Sequence, residues 1–110
     1  MPSRTDQAVT ERRLYSKLRQ LLTTPGLLRG NLVEMRRACG KATCGCARDP
    51  ACRHRSLYLG LSLKGQRRMV YIPPAWEADV RRWVTRHAAV RAVLEQISRR
   101  YLERVQRREG

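Results

Sequence analysis

The sequence predicts an α+β fold: an N-terminal helix, a small three-stranded antiparallel sheet around a cluster of cysteines, and a long C-terminal helix with a heptad-like seam. Three observations predict it. Apolar residues recur at three- and four-residue spacing near the N-terminus, they alternate between positions 57 and 72, and they return to a 4-3 spacing from Trp76 to Tyr101. A chain of 110 residues suits one domain, divided by pattern into 1–28, 29–73 and 74–110. It has 42% hydrophobic residues but no Phe, so its core must rest on Leu, Val and Ala. At this size a metal or a second subunit would add usefully to stability.

The first helix is expected over residues 5–22, with Ala8, Leu14, Tyr15, Leu18, Leu21 and Leu22 on one face. Ser3 and Thr5 suit its cap, and Asp6 suits the positive end of the helix dipole. Thr24-Pro25-Gly26 ends it, because Pro cannot continue a helix and Gly accepts the reversal. Asn31, Val33 and Met35 then alternate with Leu32, Glu34 and Arg36, which predicts a short strand leading towards Cys39. Leu57, Leu59, Leu61 and Leu63 keep a strict period of two. A turn at Lys64-Gly65-Gln66 and a second run from Arg67 to Ile72 complete a hairpin. The leucines, Val70 and Ile72 are expected to pack inward, with Tyr58, Ser62, Arg67, Met69 and Tyr71 on the other face.

The second helix is expected over residues 74–108. Pro74 suits a first helical position, and Glu77 and Asp79 suit the first turns. Trp76, Val80, Trp83, His87, Val90, Leu94, Ile97 and Tyr101 form a coiled-coil-like seam, widened by Val84, Val93, Leu102 and Val105. His87 falls on that seam and reads as a structural histidine. At about 1.5 Å per residue this helix is roughly 50 Å long, nearly twice the first. The expectation is therefore that its far end is exposed or is covered by a second copy, giving a homodimer through the C-terminal helix.

Twenty-four Lys and Arg against nine Asp and Glu leave a formal charge of +15. Only Lys17, Lys41 and Lys64 are lysines. A GC-rich gene enriches arginine without selection for function, yet arginine still forks onto phosphates and stacks on bases. Residues 29–73 hold ten of the basic groups and only two of the acidic ones, so the middle third is the electropositive centre. Such a balance excludes an ordinary acidic enzyme surface and points to polyanionic partners. Uncharged runs such as residues 57–63 are too short to span a bilayer, and the N-terminus shows no apolar run of signal-peptide length. A cytoplasmic protein without membrane partners is expected.

All four cysteines fall between positions 39 and 52: Cys39-Gly40-Lys41, then Cys44-Gly45-Cys46, then Cys52, with His54 two residues on. Clustering this tight, in a chain with no secretory signal, favours a metal over disulfides. Tetrahedral Zn²⁺ takes thiolate and imidazole ligands, and a knuckle of this kind needs little core around it. Cys39, Cys44 and Cys46 form a unit, and either Cys52 or His54 completes the site. The alternative is four free thiols in a reducing cytosol.

With the run Cys39-Gly40-Lys41-x-x-Cys44-x-Cys46, His54, the strand at 57–63, Tyr71-Ile72-Pro73 and the helix containing Val80-Arg81, the chain resembles a small bacterial and archaeal family known only as a domain of unknown function. The resemblance covers roughly residues 29–101, and the cysteine motif is its most specific part. It implies His54 as the fourth ligand. It also implies a nucleic-acid context, because members are often encoded near transposases and other mobile elements; a recombinase is the kind of larger partner that the helical seam would dock. The chain departs from the family pattern in having Arg55-Ser56-Leu57 where Gly-Pro-Tyr usually follows the histidine, and in adding Cys52, which keeps that cysteine in play.

Two functional expectations follow. The first is a zinc-stabilised nucleic-acid-binding module, in which Lys41, Arg48, Arg53, Arg55, Arg67 and Arg68 engage phosphates of DNA or RNA while Tyr58 and Tyr71 stack on unpaired bases. The two tyrosines could equally serve as cross-strand packing residues. The second is a dimeric interaction or assembly module with a purely structural zinc. An enzyme is not expected: Glu34 and Asp49 are the only acids of the middle region, and neither has the spacing of a general base beside a catalytic metal. Cys44-Gly45-Cys46 lacks the two-residue spacer of a dithiol relay.

Overall fold

The computed structural model describes residues 4–37 and 54–107. In chain order these form α1 (Arg4–Thr23), β1 (Asn31–Arg37), β2 (His54–Leu63), β3 (Gln66–Ile72), one 3-10 turn (Pro74–Trp76) and α2 (Glu77–Gln106). The predicted helix–sheet–helix order is therefore present, with the 3-10 turn occupying the first residues assigned to the second helix. Pro73 precedes that turn in extended geometry (φ −61°, ψ 147°), and Pro74 opens it. The chain divides into two compact units, residues 1–27 with 85–110, and residues 28–84.

In the second unit the sheet order is β1-β2-β3, with both pairings antiparallel. Leu63 pairs with Gln66, so the hairpin turn is Lys64-Gly65 alone and Gln66 already belongs to β3. Both turn residues have positive φ, 52° and 79°. That combination marks the two-residue hairpin turns whose twist matches that of the strands. Register sets Leu32, Leu59 and Val70 abreast, and next to them Glu34, Leu57 and Ile72. Leu57, Leu59, Ile72 and Val80 are buried together, and Leu28, Leu32, Leu61, Trp83 and Val84 pack round them. Fully burying each such side chain is worth roughly 1.5–3 kcal/mol. The first turns of α2 thus close one face of the sheet, with the Trp76 and Trp83 rings 5.9 Å apart.

Two residues expected inside are not. Val70 is 46% exposed and Leu63 41%. They share the inward face by register, but β3 is an edge strand and the apolar cluster ends at Ile72. Entry into β1 depends on Gly30, at φ +144°. A β-carbon there would stand 2.7 Å from Leu59 Cδ1 and 3.0 Å from the Gly60 carbonyl oxygen. Two residues earlier, the Leu28 N–H donates to the Trp83 carbonyl at 3.2 Å.

In the first unit α1 runs antiparallel to α2. Glu11 pairs with Arg104 at 2.6 Å, the Tyr15 and Tyr101 hydroxyls meet at 3.2 Å, and Arg86 donates to the carbonyls of Pro25 and Gly26 at 2.8 and 2.7 Å. The shorter helix therefore accompanies α2 from Arg86 to Arg104, and helix length alone does not call for a second copy. The buried residues of α2 in this unit are Val90, Val93 and Ile97. Leu94 and Tyr101, which the heptad seam placed inside, are 48% and 44% exposed. The heptad seam assumes one partner along the whole helix, whereas Val80 joins the sheet cluster and Val90, Val93 and Ile97 are the buried residues of the helical unit.

Candidate functional site

Strand alternation gives the sheet a second face, opposite Leu57 and Leu59. Val33, Tyr58 and Tyr71 lie abreast on it, followed by Asn31, Gly60 and Met69, and then by Ser62 and Arg67. The Tyr58 and Tyr71 rings meet edge to face, with centroids 5.7 Å apart and planes at 64°. Tyr71 is 52% exposed, and Met69 is also open to solvent. Gly60 carries no side chain between the tyrosines and the arginine. A β-carbon placed there would lie 3.2 Å from the Met69 sulfur and 3.4 Å from a guanidinium nitrogen of Arg67, so both side chains lean across this bare position.

Beyond Arg67 the hairpin ends in cations. Lys64, Arg67 and Arg68 are exposed, and none of the three has a carboxylate partner among the described residues. Arg29 is held at the same end, its guanidinium donating to the Ser62 carbonyl at 2.8 Å. Tyr71 lies six positions on from the turn residue Gly65, about 20 Å at the usual rise per strand residue. The hairpin thus runs from an aromatic pair to a cationic tip, with Met69 and the Arg67 side chain lying over Gly60 between them.

The sequence-predicted residues divide three ways. Tyr58, Tyr71 and Arg67 share the outer face. Arg68 pairs with Leu61 on the opposite face, although it sits at the same tip. Arg55 has a different environment. Its Nε lies 2.9 Å from Glu34 and its Nη1 3.2 Å from Glu77, while Arg36 approaches Glu34 at 3.6 Å. Hydrogen bonding to Glu34, and next to Glu77, raises the Arg55 pKa above the ordinary arginine value. Arg55 is thus a cross-link joining β1, β2 and the start of α2, with its charge already compensated. Lys64 and Arg29 join the tip unannounced by the sequence reading; their signal was the two-residue turn, which sets Lys64 next to Arg67 and Arg68.

Cys39, Cys44, Cys46 and Cys52, with Lys41, Arg48 and Arg53, lie outside the described residues. What the structure does describe is the pair that brackets them. The chain leaves the sheet at Arg37, returns at His54, and these two residues are register partners. Both ends of the cysteine-bearing segment are therefore anchored side by side. Among the described residues no group of three or more His, Cys, Asp or Glu is arranged to hold a metal. Nor is any described helix long and apolar enough to cross a membrane.

Residues 7–82 match the family model described as a domain of unknown function, DUF6788. The chain belongs to this family. The DUF6788 span takes in most of α1, all three strands and the first turns of α2, and so includes the hairpin face and the segment that bears the cysteines. No curated protein and no solved structure matches the chain.

Proposed function

We propose that this chain is a small basic zinc-binding protein that binds nucleic acid, DNA or RNA, through an arginine-rich surface, in a mobile-element context alongside a transposase or recombinase. It is a binding protein and not an enzyme. The observation that carries the reading is the outer hairpin face, where the solvent-exposed Tyr71 and its partner Tyr58 lead to Arg67 and so to the tip, which Lys64 and Arg68 share. Phosphates take the cations and release counterions, while a ring of Tyr71 offers a flat apolar surface to a base. The mobile-element part of the reading rests on the family resemblance of the Cys39-Gly40-Lys41-x-x-Cys44-x-Cys46 motif.

Zinc belongs to the reading through the donor set. Cys39, Cys44 and Cys46 with Cys52 or His54 supply the four soft or borderline ligands that a closed structural site requires. The pairing of Arg37 with His54 supports it, since it starts and ends the cysteine-bearing segment at one place and lowers the entropy of bringing the ligands together. When bound, the ion would hold residues 39–54 as one loop and present Lys41, Arg48 and Arg53 beside the sheet. Metal analysis after purification under reducing conditions is expected to give one zinc per chain, lost in Cys39→Ser. Fluorescence anisotropy with labelled oligonucleotides is expected to show binding that weakens steeply with salt. Absence of binding at low salt removes the proposal.

A second reading, a dimeric helical module with a purely structural zinc, draws on one observation. Leu94, Leu102 and Val105 leave an apolar strip on α2, with Val105 72% exposed. If this strip joins two copies, sedimentation of Leu94→Glu/Val105→Glu will give a monomer where the parent chain gives a dimer.

A further inference from the structure

We infer that the nucleic acid taken by the outer hairpin face is single-stranded, bound with an unpaired base on the Tyr71 ring and its phosphates along Arg67 towards the hairpin tip. This rests on the nucleic-acid reading above and names the substrate class of that site. The geometry carries it. Tyr71 is half exposed on a strand that forms the edge of the sheet. Bases in a duplex are stacked on one another and offer no free face to a side chain, whereas every unpaired base does. Reading a duplex from its major groove requires an inserted helix or a projecting two-stranded ribbon with polar side chains aimed at base edges. Here the residues at the open end of the face are Tyr71, Tyr58 and Met69, whose rings and thioether suit base faces. Only beyond them does Arg67 add charge, and it does so on the same face and in line along the strand.

Charge alone argues for the opposite preference, which makes the inference testable. Duplex DNA carries about twice the charge per unit length of a single strand and releases more counterions per phosphate neutralised. A protein at +15 that bound by electrostatics only would favour the duplex. Preference for a single strand must come from contacts to bases.

The experiment measures affinities of the full chain, as purified under reducing conditions, for labelled oligothymidine, oligouridine and a mixed-sequence duplex of equal length at one fixed salt concentration. Single strands are expected to bind at least as tightly as the duplex. Tyr71→Leu, which keeps apolar bulk on the strand but removes the ring, is expected to weaken single-strand binding about tenfold, the scale of one lost base stack, and to leave duplex binding unchanged. Tyr71→Phe keeps the ring and is expected to bind like the parent; it also guards against reading a folding defect as a lost contact. Oligothymidine and oligouridine together separate DNA from RNA. Tighter binding of the duplex, or an equal effect of Tyr71→Leu on all three ligands, overturns the single-strand inference and leaves general nucleic-acid binding standing. Failure of all three to bind overturns both.

Discussion

Arg55 shows how much a charged residue's neighbours matter. It sits between the carboxylates of Glu34 and Glu77, so Arg55→Met leaves Glu77 without its counter-ion and Glu34 with only the longer contact to Arg36. The expected outcome is a lower melting temperature for Arg55→Met, partly restored by adding Glu34→Gln. A double-mutant cycle with no coupling would show the bridge to be decorative. Gly30 acts through the backbone. Its φ of +144° and the 2.7 Å approach of a β-carbon to Leu59 predict that Gly30→Ala costs about 1–3 kcal/mol in urea unfolding, the range for a strained backbone site. In the helical unit, the hydrogen bond to Tyr101 is the main reason the Tyr15 pKa is raised above 10.0. A folded-state pKa raised in this way means that the contact stabilises fully at neutral pH and is lost as pH rises through the folded-state value. Ultraviolet titration is expected to show Tyr15 ionising late and moving back towards 10.0 in Tyr101→Phe.

At the scale of elements, stability of the sheet unit centres on β2. Leu57 is 1% exposed, and Leu57→Ala is expected to cost about 2–5 kcal/mol, as for other fully buried leucines. Tryptophan fluorescence is the natural probe, because Trp76 and Trp83 both belong to this unit. A loss below about 1 kcal/mol, the range of surface changes, would mean that β2 is not its core. The same strand marks how far sequence reasoning reaches. Period-two leucines made β2 and its partner legible, and Pro25, Gly26, Pro73 and Pro74 punctuated both helices. The period also put Tyr58, Tyr71 and Arg67 on one face, as found. It could not show that Val70 and Leu63 would be open, because alternation identifies a face and not what covers it. Nor could it show Arg55 reaching Glu34 and Glu77, since that contact depends on cross-strand register and on where α2 begins. The heptad reading of α2 failed at Leu94 for a related reason. It assumed one partner along the whole helix, whereas Val80 serves the sheet core and Val93 the helical pair. The cysteine motif, read as a metal site, falls outside the described residues.

The charge of the whole molecule is +15, but it is not one uniform coat. Arg36, Arg55, Arg82, Arg99, Arg104 and Arg107 are each paired with a carboxylate within the chain. Lys64, Arg67 and Arg68, with Arg29 beside them, are the compact group on the hairpin. These two pictures of the charge predict different salt dependence. If three or four cations at the hairpin tip engage a single strand, the logarithm of the binding constant falls with the logarithm of salt at a slope of about −2 to −3, or roughly 20- to 50-fold between 50 and 200 mM. If the net charge acted as a whole, the slope would approach −10, a loss of about a million-fold over the same range. The double variant Arg67→Ala/Arg68→Ala sharpens the distinction. It is expected to flatten the slope by about 1.4, the contribution of two phosphate contacts to a single strand. A diffuse coat would lose the same amount from a slope near −10, so the fraction lost separates the two pictures: about half or more for the tip against about a seventh for the coat. A steep slope that ignores both substitutions would locate binding elsewhere on the molecule, and the hairpin would then be no more than a scaffold.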